Sequence, residues 1–230
     1  MGTLLAWTVH LYTASSALLG LWAVHAIHEQ EFRLASYLMI MAMAIDSTDG
    51  LLARRFEVRN RIPWIDGRRL DDICDYFTYV LVPAAMLVEA QLLPHPAWSA
   101  VPVLASAYGF SQVDAKTTDG TFLGWPSYWN VVVIYLYLLG ASPSTALSVV
   151  LLCAAGVFVP IQYIYPSRAT VFRGLSMTLS ALWAFLFTWY AVQPEPSARG
   201  VWLSLALGPG YYLAMSFALH FARTRRSAAH

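Results

Sequence analysis

Asp46-Ser47-Thr48-Asp49-Gly50-Leu51-Leu52-Ala53-Arg54 and, twelve residues further on, Gly67-Arg68-Arg69-Leu70-Asp71-Asp72-Ile73-Cys74-Asp75 are the two stretches that decide how this chain folds. The first closes an apolar run that starts at Leu34; the second opens another that continues to Leu92. Asp46 precedes Arg54 by eight residues, which on a helix is about 12 Å along the axis. A carboxylate that deep in an apolar segment is costly, and residues of this kind mark functional sites. On a helical projection Asp46, Asp49, Gly50, Ala53 and Arg54 share one face, and Gly67, Asp71 and Asp75 form a second stripe, with Asp72 off it.

Four carboxylates on two adjacent helices cannot all stay ionised in a dry site without cations. Oxygen-only ligands suit a hard divalent ion such as Mg²⁺ or Mn²⁺, and two ions bridged by shared carboxylates would neutralise four charges and activate a phosphoryl group. The small residues Gly50 and Ala53 leave room for a flat ligand, and Arg54 can fork onto phosphate. The competing account is pairing with the six arginines between residues 54 and 69. It suits Glu57, Asp66 and Asp72 but not Asp46 and Asp49, which among those arginines only Arg54 can easily reach.

Beyond this hairpin the chain reads as a membrane protein. It has 230 residues, 58% hydrophobic and 12% charged, with a mean hydropathy of +0.54. Soluble domains average about 25% charged residues, and disorder needs low hydrophobicity with high net charge. A net charge of +1 gives no basic surface for nucleic acid. Cys74 and Cys153 make no disulfide framework and have no metal-ligand spacing.

Eight apolar runs are candidate spans: Leu4–Ala26, Leu34–Phe56, Leu70–Leu92, Ala97–Val113, Tyr128–Leu139, Thr145–Tyr165, Val171–Val192 and Val201–Phe221. With both termini in the cytoplasm, twelve Lys and Arg residues fall on that side and two, Arg33 and Arg199, on the other. The expected fold class is all-α: a polytopic bundle of about eight transmembrane helices, one domain over residues 1–230, with a polar cavity facing the cytoplasm. The N-terminus lacks the basic region of a cleaved signal peptide. A homodimer is allowed, but nothing in the sequence requires it.

The pattern Asp46-x-x-Asp49-Gly50-x-x-Ala53-Arg54, then Gly67-x-x-x-Asp71-x-x-x-Asp75, resembles the signature of the CDP-alcohol phosphotransferases, with all eight fixed positions present in order. One departure stands out. The family usually has eight residues between the Arg and the second Gly, and here Arg55 to Asp66 make twelve. Extra length in a connection costs little, so both stripes can still meet. The longer spacer, the chain length and the eight candidate spans resemble a bacterial branch of the family that takes choline.

The resemblance implies attack of an alcohol on the lipid-linked phosphorus of CDP-diacylglycerol, with CMP leaving and, for choline, phosphatidylcholine as product. It places two divalent ions (Mn²⁺ or Mg²⁺) on Asp46, Asp49, Asp71 and Asp75, with Asp75 also the general base. Asp49, Gly50, Ala53, Arg54 and Gly67 would cradle the nucleotide-lipid. Lys116 and Arg168 are candidates for its phosphates, against the ordinary reading that they are topogenic charges. The partners are then CDP-diacylglycerol, choline and membrane lipids, and the location is a bacterial inner membrane, multi-pass, with the active site on the cytoplasmic side.

Choline's trimethylammonium needs aromatic faces. Tyr76, Tyr79 and Trp129 are the candidates, against the alternative of an interfacial aromatic belt. Serine, inositol or glycerol phosphate would use the same chemistry. A cation- or proton-coupled transporter is the reading from another class; it wants matched broken helices in both halves, and the second half carries no second acid set. His10 and His220 read as packed polar contacts.

Overall fold

The computed structural model describes residues 2–113, 121–164 and 173–227. Helices dominate, and each of the eight apolar runs contains one. Among the described residues three helices are long and apolar enough to cross a membrane by length and composition: Gly2–His28, Gly174–Val192 and Ala198–Thr224, with Trp129–Leu138 and Pro143–Phe158 as shorter apolar helices. Large apolar side chains point outward, among them Leu4, Leu11, Leu104, Leu152 and Phe185, each more than 60% exposed. Apolar surface on that scale needs a non-aqueous surround.

The helices group into two units. The first comprises Met1–Gln91 with Tyr128–Val133. Its helix α1 (Gly2–His28) buries Ala6, Val9, His10, Thr13, Ser16, Gly20, Ala23, Ala26 and Ile27, a stripe of mostly small residues at helical spacing. Small residues let helix backbones approach; a Cβ at Gly20 would lie 2.8 Å from the Phe77 ring. Helix α2 (Phe32–Arg55) buries Ala35, Met39, Ala42, Ile45 and Asp49 along one face. Arg54 and Arg55 in its last turn suit the negative end of the helix dipole. Glu57, at φ 50°, turns the chain into the short α3 (Val58–Arg61). There Val58 and Ile62 pack with Ala6 and Val9 of α1.

Asp66 caps the next helix, accepting the backbone N–H groups of Arg68 and Arg69 at 3.1 and 3.3 Å. Helix α4 (Gly67–Asp75) runs into a π-helical turn (Tyr76–Leu81) and then α5 (Val82–Glu89). Pro83 explains the wide turn. It has no N–H to give the carbonyl four residues back, and the Val82 N–H bonds to Phe77 five residues back instead.

The second unit comprises Leu92–Ser127 and Ile134–His230. It holds α6 (Ala100–Ser111), the second half of α7 (Trp129–Leu138), α8 (Pro143–Phe158), α9 (Arg173–Val192), α10 (Ala198–Leu205) and α11 (Tyr211–Ser227). A second π-helical turn (Ala206–Gly210), containing Pro209, joins α10 to α11. The sixth apolar run, expected to reach Tyr165, is helical only to Phe158. Val159 is extended, as a residue before proline is biased to be, and Pro160 ends the helix. Beyond it β2 (Gln162–Ile164) pairs antiparallel with β1 (Thr121–Leu123), a three-residue ladder absent from the sequence expectation. It adds no layer, and the class remains all-α.

Candidate active site

The sequence-predicted acids lie in the first unit. One carboxylate oxygen from each of Asp46, Asp49 and Asp71 falls within 4.8 Å of the others. Helix periodicity presents Asp46 and Asp49 from α2, and the cap at Asp66 starts α4 in the register that presents Asp71. Asp75, one turn beyond Asp71, is half-buried and outside that 4.8 Å group.

Asp49 is 7% exposed. Among the described residues its partner is the Thr13 hydroxyl, which donates to its Oδ2 at 2.8 Å. Further along the hairpin Arg61 and Glu57 form an ion pair at 3.6 Å. A buried carboxylate served by a neutral donor keeps its need for a countercharge. Three converging carboxylates supply the hard oxygen donors that a divalent ion takes, so the residues fit such an ion.

Asp46 accepts a hydrogen bond from the Tyr79 hydroxyl at 2.7 Å. Tyr12 and Thr48 share another, at 2.8 Å, between α1 and α2. A Cβ at Gly50 would sit 3.4 Å from Nη1 of Arg54, so the guanidinium lies beside Gly50, and Arg54 is exposed. Ala53 packs against the cluster of Ala6, Val9, Val58 and Ile62. Gly67 faces His10: a Cβ there would stand 3.2 Å from Cε1 of that ring. His10 is buried, and its Nε2 has no hydrogen-bond partner among the described residues.

Of the aromatic candidates, Tyr76 is half-buried, while Tyr79 and Trp129 are 5% and 1% exposed. The Tyr79 ring lies 6.1 Å from that of Tyr128, tilted by 47°. Lys116 and Arg168 lie outside the described residues. Sequence reasoning missed the part played by α1. Thr13 reads there as one more small polar residue in an apolar run, and no signal ties it to an acid 36 positions away.

A family model described as CDP-alcohol phosphatidyltransferase matches residues 6–161. The chain belongs to the CDP-alcohol phosphatidyltransferase family. It is a membrane transferase of phospholipid biosynthesis, and it is similar over most of its length to proteins named phosphatidylcholine synthase. With that of Legionella pneumophila it is 38% identical over 225 residues, covering 92% of this chain and 87% of the relative. With that of Pseudomonas aeruginosa it is 34% identical over 205 residues, 86% of each. With that of Borreliella burgdorferi it is 34% identical over 187 residues, 80% of each. The match to the family model includes all four signature aspartates and Thr13, which reaches Asp49.

Proposed function

We propose that this chain condenses CDP-diacylglycerol with choline to give phosphatidylcholine and CMP. The observation that carries this reading is the convergence of Asp46, Asp49 and Asp71 from two helices, in a chain resembling phosphatidylcholine synthases over 80–92% of its length. These three aspartates together with Asp75 would hold two divalent ions, Mn²⁺ or Mg²⁺. Ions bound there would spread the pyrophosphate charge and stabilise the oxygen on which CMP departs.

The chain's own residues do the rest. Arg54 beside Gly50 offers a planar fork to phosphate at the mouth of the site, and Gly50, Ala53 and Gly67 would flank the nucleotide-lipid, Ala53 also packing on α1 and Gly67 on His10. Lys116 and Arg168 are assigned to the lipid phosphates. Asp75, standing off from the three clustered acids, accepts the choline hydroxyl proton. The choline oxygen then forms its bond to the lipid-linked phosphorus as the bond to CMP breaks. Tyr76 and Tyr128 offer half-buried rings to the trimethylammonium. Tyr79 and Trp129, both buried, would complete the aromatic surroundings of the trimethylammonium. The chain would act as one eight-span domain of a bacterial inner membrane, with termini and site toward the cytoplasm.

The test is CMP release by purified protein from CDP-diacylglycerol with choline, serine, inositol or glycerol phosphate, with and without Mn²⁺. Release with choline that a chelator abolishes and added Mn²⁺ restores is the expected result. Product with another alcohol and none with choline would replace the acceptor. Asp75→Asn should keep binding the nucleotide-lipid while turnover falls roughly a hundred- to ten-thousandfold; full turnover would remove Asp75 as the base.

A further inference from the structure

Two of the three clustered carboxylates already have one oxygen engaged by a hydroxyl from elsewhere in the chain. Tyr79 donates to Oδ2 of Asp46 at 2.7 Å, and Thr13 donates to Oδ2 of Asp49 at 2.8 Å. Both donors are buried, at 5% and 7% exposure. The terminal torsion of an aspartate is broad and roughly two-fold, so an unsupported carboxylate turns freely. A hydrogen bond to one oxygen fixes the carboxylate plane and with it the direction of the other oxygen. The donors here are neutral. They orient the acid without cancelling the charge a cation needs, as an arginine in the same place would.

The donors are themselves held. Thr13 sits in the stripe of α1 buried between its neighbours. Tyr79 lies inside the π-helical turn, where the wider spacing brings it back toward the face of Asp71 and Asp75 instead of letting it rotate onward. The Thr78 hydroxyl anchors this turn on the Cys74 carbonyl at 3.0 Å, and the Tyr128 ring packs beside Tyr79.

We propose that Thr13 and Tyr79 are positioning residues that aim the carboxylates of Asp49 and Asp46 at the divalent ion and thereby set its affinity. The inference rests on the divalent-ion reading above. It gives Tyr79 a role through its hydroxyl, distinct from any contact of its ring with the acceptor alcohol. Partners that orient metal ligands in this way typically carry roughly ten- to hundredfold in metal affinity.

Binding of Mn²⁺ to the purified full-length protein, read from the loss of the free-ion electron paramagnetic resonance signal, tests this without turnover. If the wild-type chain binds no Mn²⁺, the divalent-ion reading fails and takes this inference with it. If it binds, Tyr79→Phe and Thr13→Val should each weaken binding roughly ten- to hundredfold. Thr13→Ser, which keeps the hydroxyl, should stay close to wild type. In turnover the loss should appear as a raised Mn²⁺ requirement, with most of kcat recovered at saturating Mn²⁺. Unchanged Mn²⁺ affinity in both hydroxyl-deleting variants would overturn the proposal with the metal site left standing. So would equal losses in Thr13→Ser and Thr13→Val, which would trace the effect to packing.

Discussion

The two units bury polar groups in different ways. In the second, neutral groups satisfy one another. The Trp183 indole N–H donates to the Tyr135 hydroxyl at 2.9 Å, and Tyr135 shares a 2.7 Å hydrogen bond with Ser204. Ser106 donates to Ser127 at 2.9 Å, and the Ser216 hydroxyl accepts the Ile164 N–H at 3.1 Å. Hydroxyls can close such networks because each both donates and accepts, and the indole N–H adds a donor. In the first unit one carboxylate oxygen from each of Asp46, Asp49 and Asp71 is drawn together, and the neutral hydroxyls of Tyr79 and Thr13 donate to Asp46 and Asp49. Polar groups that complete each other's bonds hold a fold together. Three acids gathered with their oxygens converging are arranged for a cation.

That contrast predicts a graded set of effects. The largest belongs to Asp49→Asn, which removes a buried charge from the cluster. CMP release should fall at least roughly a hundredfold, while the melting temperature of the metal-free protein holds or rises because the repulsion is relieved. A metal-free protein that melts well below wild type would make Asp49 part of the scaffold and erase the difference between the units.

A smaller effect is expected from Pro83→Ala. The restored N–H permits a regular α-helical turn, which rotates Tyr79 off Asp46. The Mn²⁺ requirement in the CMP-release assay should then rise roughly tenfold, with stability unchanged or improved. If the requirement does not move, the π-helical turn is not what places Tyr79.

The smallest effect belongs to the second unit. Tyr135→Phe removes the hydroxyl shared by Trp183 and Ser204 and should cost about 1 kcal/mol of stability in a thermal melt, with activity per folded molecule unchanged. Loss of turnover without a change in melting would show that the neutral network also serves the chemistry.

Much of this was legible in the chain. Apolar runs mark where helices form, because a segment facing lipid must satisfy its own backbone. The three-residue and four-residue spacings bring Asp46 and Asp49 to one face and Asp71 to another. Asp75 continues the stripe of Asp71. Each four-residue step turns a helix by about 40° and climbs about 6 Å, so Asp75 stands one turn further along the axis. The end of α8 at Phe158 is written in Pro160. The pairing of Thr121–Leu123 with Gln162–Ile164 is not, since three-residue strands so far apart carry no periodicity.

The sequence by itself determined that the chain is a bundle of apolar helices and that its acids are concentrated on one hairpin. Both follow from local rules, the cost of exposing backbone to lipid and the repeat of a helix. Only the tertiary structure decided that Thr13 and Tyr79, 36 and 33 residues from their partners, would hold Asp49 and Asp46. Such pairs depend on how α1 lies against α2 and on the widened turn before Pro83. Helix contact is a matter of relative rotation and approach, and no spacing along a single strand of sequence encodes it.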